Sequence, residues 1–326
     1  MTRVFITIDT EYSSGLYTGR SSADRAENFA RSIACVTPDG CAGVAHKLAL
    51  LAEHGQKAVF FVDPMPALVW GVAAIEDIVG PIVAAGQDVQ LHCHTEWLEH
   101  AGADNPLATG ATGKNLAKFP FEEQCEILDY ARATLIAAGA PAPVAFRAGN
   151  YGANDDTLRA LAMLGIGYDS SHCPALVGSS ACRISLGPED NEPVGHMGVI
   201  EVPVGAIGAI GGGLRHAQIT ALTLAEQLCA IRHARDCGRE SFTLVSHSFE
   251  LINRRRLAVN HIVRRRFTGL VKALGTIRGV TTGTYAATPP SVSLTRGNRA
   301  PLPASPMRTG RRLAEQLVSN ALYGAL

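Results

Sequence analysis

The sequence predicts an α/β fold in which parallel strands, each followed by a helix, form a sheet closed or nearly closed into a barrel. Three observations carry that prediction. Short β-rich runs alternate with longer helical patterns along most of the 326 residues, the order that a parallel sheet with crossover helices requires. The chemically distinctive polar residues, Asp9, Glu11, His92, His94, Arg147, Asp169 and His247, each fall at the C-terminal end of an expected strand or in the loop after it. In a parallel barrel those ends share one rim, where enzymes of this architecture place their chemistry. Finally, a chain of this length with 47% hydrophobic residues can bury one large core.

The elements follow from periodicity and β-branched or aromatic content. Residues 4–9 (VFITID) form the first strand, 43–54 a helix and 57–62 (KAVFFV) the next strand. A helix at 72–85, a strand at 88–92, a helix at 121–138, a strand at 144–147 and a helix at 155–164 continue the alternation. A short strand then precedes Asp169, followed by a strand at 198–204, a helix near 223–235, a strand at 242–247, a helix near 260–274 and a last strand in 279–285. After residue 285 the composition changes. Residues 286–310 are rich in Pro, Ser and Arg and read as an extended linker, while 311–326 fit a short amphipathic helix. Its apolar face carries Leu313, Leu317 and Ala321, flanked by Val318 and Leu322. The expected use of that face is docking against the barrel or against a second subunit, as in a homo-oligomer, ahead of attachment to a membrane surface.

Composition excludes several classes. With 29 basic and 29 acidic residues there is no electrostatic argument for a nucleic-acid binder. Eight cysteines are scattered without a Cys-X-X-Cys pair, which speaks against a zinc ribbon or dithiol redox site and fits reduced thiols in a cytoplasmic protein. The N-terminal residues lack the layout of a secretory signal, and no apolar run is long enough to span a bilayer. A cytoplasmic location is expected.

The stretch DVQLHCHTEW, residues 88–97, ends a strand with two histidines one residue apart. Side chains two apart share a face of a strand, so His92 and His94 can aim at one point while Cys93 turns away. Asp9 and Glu11 offer two carboxylates at the same spacing on the first strand. Two imidazoles and a carboxylate suit zinc, cobalt, nickel or iron with a coordination position left open. A lone His-X-His also fits ordinary hydrogen-bonded histidines, and the carboxylate pair also fits a turn before Ser13, Ser14 and Gly15. On neighbouring positions of one rim, together they favour a site. In FRAGNYG, Arg147 stands at a strand end beside glycines, where it can hold a carboxylate while nearby backbone amides approach a substrate oxygen. Asp169, with Ser170 and Ser171, is a substrate-binding candidate for which a turn or helix cap is the competing reading. His247 ends the apolar strand of TLVSHSFE and is the leading general acid.

The ordered set TIDTE, DVQLHCHTEW, FRAGNYG, GYDSS and LVSHSFE resembles the five motif regions of the polysaccharide deacetylases, the NodB-homology carbohydrate esterases. It is most similar to the subgroup found with cell-surface polysaccharide genes, and the resemblance spans residues 4–285. It implies a distorted (β/α) barrel and metal-assisted hydrolysis of an N-acetyl group on a sugar. In the family's first motif, Asp9 matches the base, Thr10 stands at the ligand position, and Glu11 takes over as ligand. The second motif places histidines four apart, matching His92 and Glu96; His94 is the natural replacement, with Glu96 in reserve. Arg147 matches the arginine that orients the base, Gly149 stands where the family has proline, and His247 matches the proton donor to the leaving amine.

The expected protein is therefore a barrel over 1–285, a linker over 286–310 and a helix over 311–326, acting as a deacetylase on an acetylated amino sugar or glycan intermediate. A divalent metal, zinc first with cobalt, nickel or iron behind it, is assigned to Glu11, His92 and His94. Asp9, Arg147 and His247 are the catalytic group, and Asn150, Tyr151 and Asp169 are assigned to substrate. Two other readings stand beside this one: a metal-independent amidohydrolase on the same barrel, and a non-catalytic glycan-binding or assembly protein. The run from 253 to 267 contains the arginine triplets 254–256 and 264–266. Either it is a solvated loop and helix face, or its first triplet holds a phosphate on a nucleotide-linked or lipid-linked carbohydrate.

Overall fold

The computed structural model describes every residue except 108, 180, 293–298 and 325–326. Its centre is a nine-stranded sheet. The strands are β1 (Thr2–Thr10), β2 (Val59–Val62), β3 (Asp88–Cys93), β4 (Ala145–Ala148), β5 (Tyr168–Asp169), β6 (Val194–His196), β7 (Val199–Glu201), β8 (Ser241–His247) and β9 (Val280–Thr282). They run in the order β8, β1, β2, β3, β4, β5, β7, β6, with β9 paired to β1. Every pairing is parallel except β6 with β7.

The sheet curls into a distorted (β/α) barrel, and its closure is irregular. The strand expected over 198–204 stops at Glu201, and the chain beyond it bonds residue by residue to both neighbours. Val202 N donates to Asp169 O at 2.7 Å and Gly205 N to Thr243 O at 3.0 Å. On the other side of the gap Val245 N donates to Ala217 O and Ile219 N to Val245 O. These bonds satisfy edge groups that a regular strand would otherwise cover.

Side-chain alternation divides the core into two layers. Val4, Ile6 and Ile8 of β1 pack outward under the helices. Phe5, Val59, Phe61, Ala145, Val202 and Tyr285 fill the barrel interior. The helices begin where local chemistry caps them. Asn154 and Thr157 cap each other at the start of Asp155–Met163, Thr223 and Glu226 do so at Leu224–Asp236, and the Asn260 side chain accepts from Ile262 N and Val263 N ahead of His261–Leu274. The cysteines are all free.

The tail differs from the expected extended linker and short docking helix. Part of the linker, 293–298, lies outside the described residues. Further on, Leu302 forms a bridge with Ile207, and Gly208 N donates to Leu302 O at 2.8 Å. The last helix is Pro306–Tyr323, beginning earlier than the spacing predicts because Ser305 caps Arg308 N and Pro306 fits the first turn. Its apolar face is turned to solvent and not to the barrel, with Leu317 70% exposed. No helix among the described residues is long and apolar enough to cross a membrane.

Candidate active site

Parallel register brings the distinctive residues to one rim. Asp9 lies opposite His247 on β8 and opposite Phe61 on β2, and His92 lies opposite Arg147. Arg147 is the hub and is fully buried. Its Nη1 donates to Asp9 Oδ1 and to Thr7 Oγ1, both at 2.7 Å. Nε donates to Ser170 O at 3.1 Å and Nη2 to Ser170 Oγ at 3.0 Å, while the Phe61 ring covers the guanidinium face at 4.4 Å. Burial opposes the Arg147 charge, but Asp9, with Tyr151 and Tyr285, outweighs it and holds the guanidinium above its ordinary range.

Asp9 Oδ2 sits 3.8 Å from His247 Nε2. On its other side His247 Nδ1 meets Glu250 Oε1 at 3.0 Å, and Gln218 Nε2 donates to the same carboxylate oxygen. Burial alone would depress the imidazole, but the Glu250 hydrogen bond and the charges of Glu250, Asp9 and Glu11 lift it to about 9. His247 is therefore protonated at neutral pH, with its proton-bearing Nε2 edge beside Asp9.

Glu11, His92 and His94 form a second cluster whose donor atoms all lie within 4.8 Å of one another. Glu11 Oε2 is 3.1 Å from His92 Nε2 and 2.6 Å from His94 Nε2. Both Nδ1 atoms are held from behind: His92 Nδ1 by Arg147 O at 2.6 Å, His94 Nδ1 by Glu96 Oε2 at 3.1 Å. With Nδ1 held from behind, each Nε2 faces the cluster, as around metal sites; burial opposes the His94 charge, but Glu11 pushes that imidazole well above its ordinary range, so an ion binding there would displace a proton. The nitrogen and oxygen donor set and its span suit one divalent ion. Glu96, held in reserve as a ligand, instead orients His94 from the side away from the cluster. Burial would push the Glu11 carboxyl up, yet the two histidines hold it well below its ordinary range.

The substrate candidates divide. Asn150 and Tyr151 follow β4 at the rim, with φ of 57° and 55°, backbone conformations disfavoured for side chains of this kind and common at functional sites. Asn150 is exposed, whereas the Tyr151 hydroxyl is buried, makes no hydrogen bond among the described residues, and lies within electrostatic reach of Arg147, Asp9 and Glu250. Asp169 does not reach the site. It lies opposite Phe146, on the outer face of the sheet, and its two oxygens accept from Ser171 N and Ser171 Oγ. The turn reading holds for Asp169, and Ser170, one residue on, is the member of GYDSS that touches Arg147.

A cavity of about 600 Å³ opens beside His247 and Glu250 and is lined also by Phe249, Arg31, Arg254 and Arg255. Arg254 stacks on Phe249 at 4.0 Å. Arg256 turns away, and its Nη1 donates to Leu322 O of the last helix. In the second triplet, Arg266 is buried against Glu315 at 2.7 Å.

Two residues of the site, Glu250 and Asp63, escape a reading of the sequence, and Ser170 enters that reading only beside Asp169. Glu250 follows His247 by one helical-type turn, a spacing that could have flagged it. Asp63 directly follows β2, satisfying the same strand-end rule as Asp9. It is fully buried, its Oδ1 accepts from Met65 N and His94 N, its Oδ2 has no partner among the described residues, and burial pushes its pKa to about 7.

No family model and no curated protein matches the chain. Solved structures do. The chain is similar to a protein assigned as a polysaccharide deacetylase from Mycobacterium smegmatis, at 16% identity over 91% of this chain and 96% of that one, with a TM-score of 0.54. A family 4 carbohydrate esterase from Streptomyces lividans, solved with acetate, matches at 12% identity over 90% and 97% of the two chains, TM-score 0.44. A polysaccharide deacetylase from Bacillus cereus matches at 14% identity over 92% and 100%, TM-score 0.42. The first of these carries the comparison: the chain has the fold of the polysaccharide deacetylases.

Proposed function

We propose that this protein hydrolyses the N-acetyl group of an amino sugar or glycan intermediate, with a divalent metal held by Glu11, His92 and His94. The observation that carries the reading is the seat of Asp9, with Arg147 on one oxygen and protonated His247 near the other, beside a three-donor cluster. When bound, the ion supplies Lewis acidity to the amide carbonyl and to the attacking water. Asp9, oriented by Arg147, takes the proton as water adds to the carbonyl carbon. His247 gives its proton to the sugar nitrogen as the carbon–nitrogen bond breaks, releasing acetate and a free amine. The Tyr151 hydroxyl and the amides near Asn150 and Tyr151 stabilise the developing oxyanion. Arg254 and Arg255 beside the cavity support a substrate bearing a phosphate or other anionic group, as a nucleotide-linked or lipid-linked sugar does.

Metal analysis of protein purified without chelator, paired with an acetate-release screen over acetylated amino sugars, tests the reading. One equivalent of divalent metal is expected, and His92→Ala or His94→Ala should lower metal content and acetate release together. Protein without stoichiometric metal, whose turnover survives chelation, would transfer the reading to a metal-independent amidohydrolase.

A further inference from the structure

The C-terminal helix Pro306–Tyr323 is mounted inside out. An amphipathic helix normally buries its apolar stripe against the core. Here the polar side faces the protein: Ser319 is 3% exposed and its Oγ accepts from Asn260 Nδ2 at 3.1 Å, while Glu315 pairs with buried Arg266 at 2.7 Å. The opposite arc carries Met307, Leu313, Leu317, Val318 and Leu322, exposed by 82, 50, 70, 50 and 59%. Between them lie exposed Gly310, Ala314 and Ala321. Alongside the helix this face continues into a groove of about 620 Å³ with Leu224, Ile262 and Val318 on its apolar side and Arg265 and Arg311 also lining it. So large a contiguous apolar face marks an interaction surface.

Charge decides what covers it. The chain as a whole is neutral, yet residues 261–274 and 305–324 carry Arg264, Arg265, Arg308, Arg311 and Arg312, none of them buried, and exposed Lys272, while their single acid, Glu315, is already paired with buried Arg266. A second copy docked on this face in a two-fold contact would set those arginines against one another. A nucleic acid would meet the charge but leave five large apolar side chains in water. An anionic lipid surface takes both: leucines enter the acyl boundary, and arginines meet headgroup phosphates.

We propose that the outward apolar face of the C-terminal helix, together with the arginines beside it, docks this protein on an anionic lipid bilayer without crossing it. The docking has a consequence for the site. Asn253 Nδ2 donates to Tyr323 O and Arg256 Nη1 to Leu322 O, fastening the end of the helix to the loop that presents Arg254 and Arg255 to the catalytic cavity. A bilayer-bound molecule thus holds its substrate rim near the lipid surface.

Sedimentation of the full-length chain with phosphatidylcholine vesicles, with and without phosphatidylglycerol, tests the proposal. Binding is expected only to the anionic vesicles, and it should weaken in high salt. Leu313→Gln with Leu317→Gln, and separately Arg265→Glu with Arg311→Glu, should each reduce binding at least tenfold. All four side chains lie outside the catalytic machinery, so acetate release from soluble substrates and the melting temperature should stay unchanged. Absence of anionic-vesicle binding, or binding that neither pair weakens, overturns the proposal. So does sedimentation velocity showing a dimer that the leucine pair dissociates, because a second copy then covers the face.

Discussion

Gly149 and His94 are built for each other. A methyl group on Gly149 would stand 2.7 Å from His94 Nδ1 and 2.8 Å from two ring carbons. In the motif resemblance, Gly149 stands where proline is usual and His94 replaces a histidine two residues further on. The structure joins those two departures, since the histidine at position 94 lays its ring against the backbone at 149. The φ of Gly149 is not positive, so its need is for space and not for conformation.

Gly149→Ala should therefore act through His94. It is expected to destabilise the protein by about 1–3 kcal/mol through overpacking and to lower metal content at least tenfold. In a cycle with His94→Ala, which removes the clashing ring, the alanine at 149 should have little further effect on either readout. Additive losses would show that Gly149 serves some other contact.

The pair His247 and Glu250 sets a pH dependence. Although burial opposes its charge, the Glu250 carboxylate raises His247 to about 9, against about 6.5 for an unfolded histidine. The folded state thus holds the proton more tightly. That stabilisation is fully present below about pH 6.5 and is lost as pH rises through about 9, on the order of 3 kcal/mol in all. If His247 is the general acid proposed above, acetate release should show an alkaline limb near 9, where it loses its proton. Glu250→Gln should move the limb down by at least one pH unit and destabilise the protein more at pH 7 than at pH 10. A limb that stays in place assigns it to another group.

Most of the barrel was legible because its strands carry either strict alternation or unbroken β-branched and aromatic runs, and strand ends place Asp9, His92, Arg147 and His247 on one rim whatever the loops do. The misses have local causes. The two-residue strand Tyr168–Asp169 is too short to phase by alternation, so the sequence points to Asp169 while the structure turns Ser170 inward to Arg147. The closure through 202–219 has no period at all. In the last helix the apolar stripe was visible, but which side meets the barrel depends on contacts of Ser319 with Asn260 and Glu315 with Arg266, and no local pattern encodes these.

Arg147 and Asp9 separate stability from chemistry. A lysine at 147 cannot reach Thr7, Asp9 and both Ser170 oxygens at once, and it leaves the buried Asp9 poorly paired. Arg147→Lys should cost about 3–5 kcal/mol in urea denaturation. Asp9→Asn keeps an oxygen for Arg147 and should cost only about 1–3 kcal/mol, yet acetate release should fall at least ~100-fold because the amide cannot accept the water's proton. If Asp9→Asn proves the less stable of the two, the guanidinium is not the hub of the site.

Two arginines of the first triplet face the cavity and the third turns away. Arg254 and Arg255 line the cavity, and Arg254 is held there by its stack on Phe249, whereas Arg256 donates to Leu322 O. A substrate carrying a phosphate should feel the first two through charge-assisted bonds worth about 1.5–3 kcal/mol. Arg254→Ser with Arg255→Ser should raise KM for a phosphorylated or nucleotide-linked amino sugar at least tenfold and flatten its salt dependence, leaving kcat and the KM of a neutral amino sugar almost unchanged. Arg256→Ser should leave both values of KM where they are. Equal responses of the charged and neutral substrates would show that the pair shapes the cavity without reading an anion.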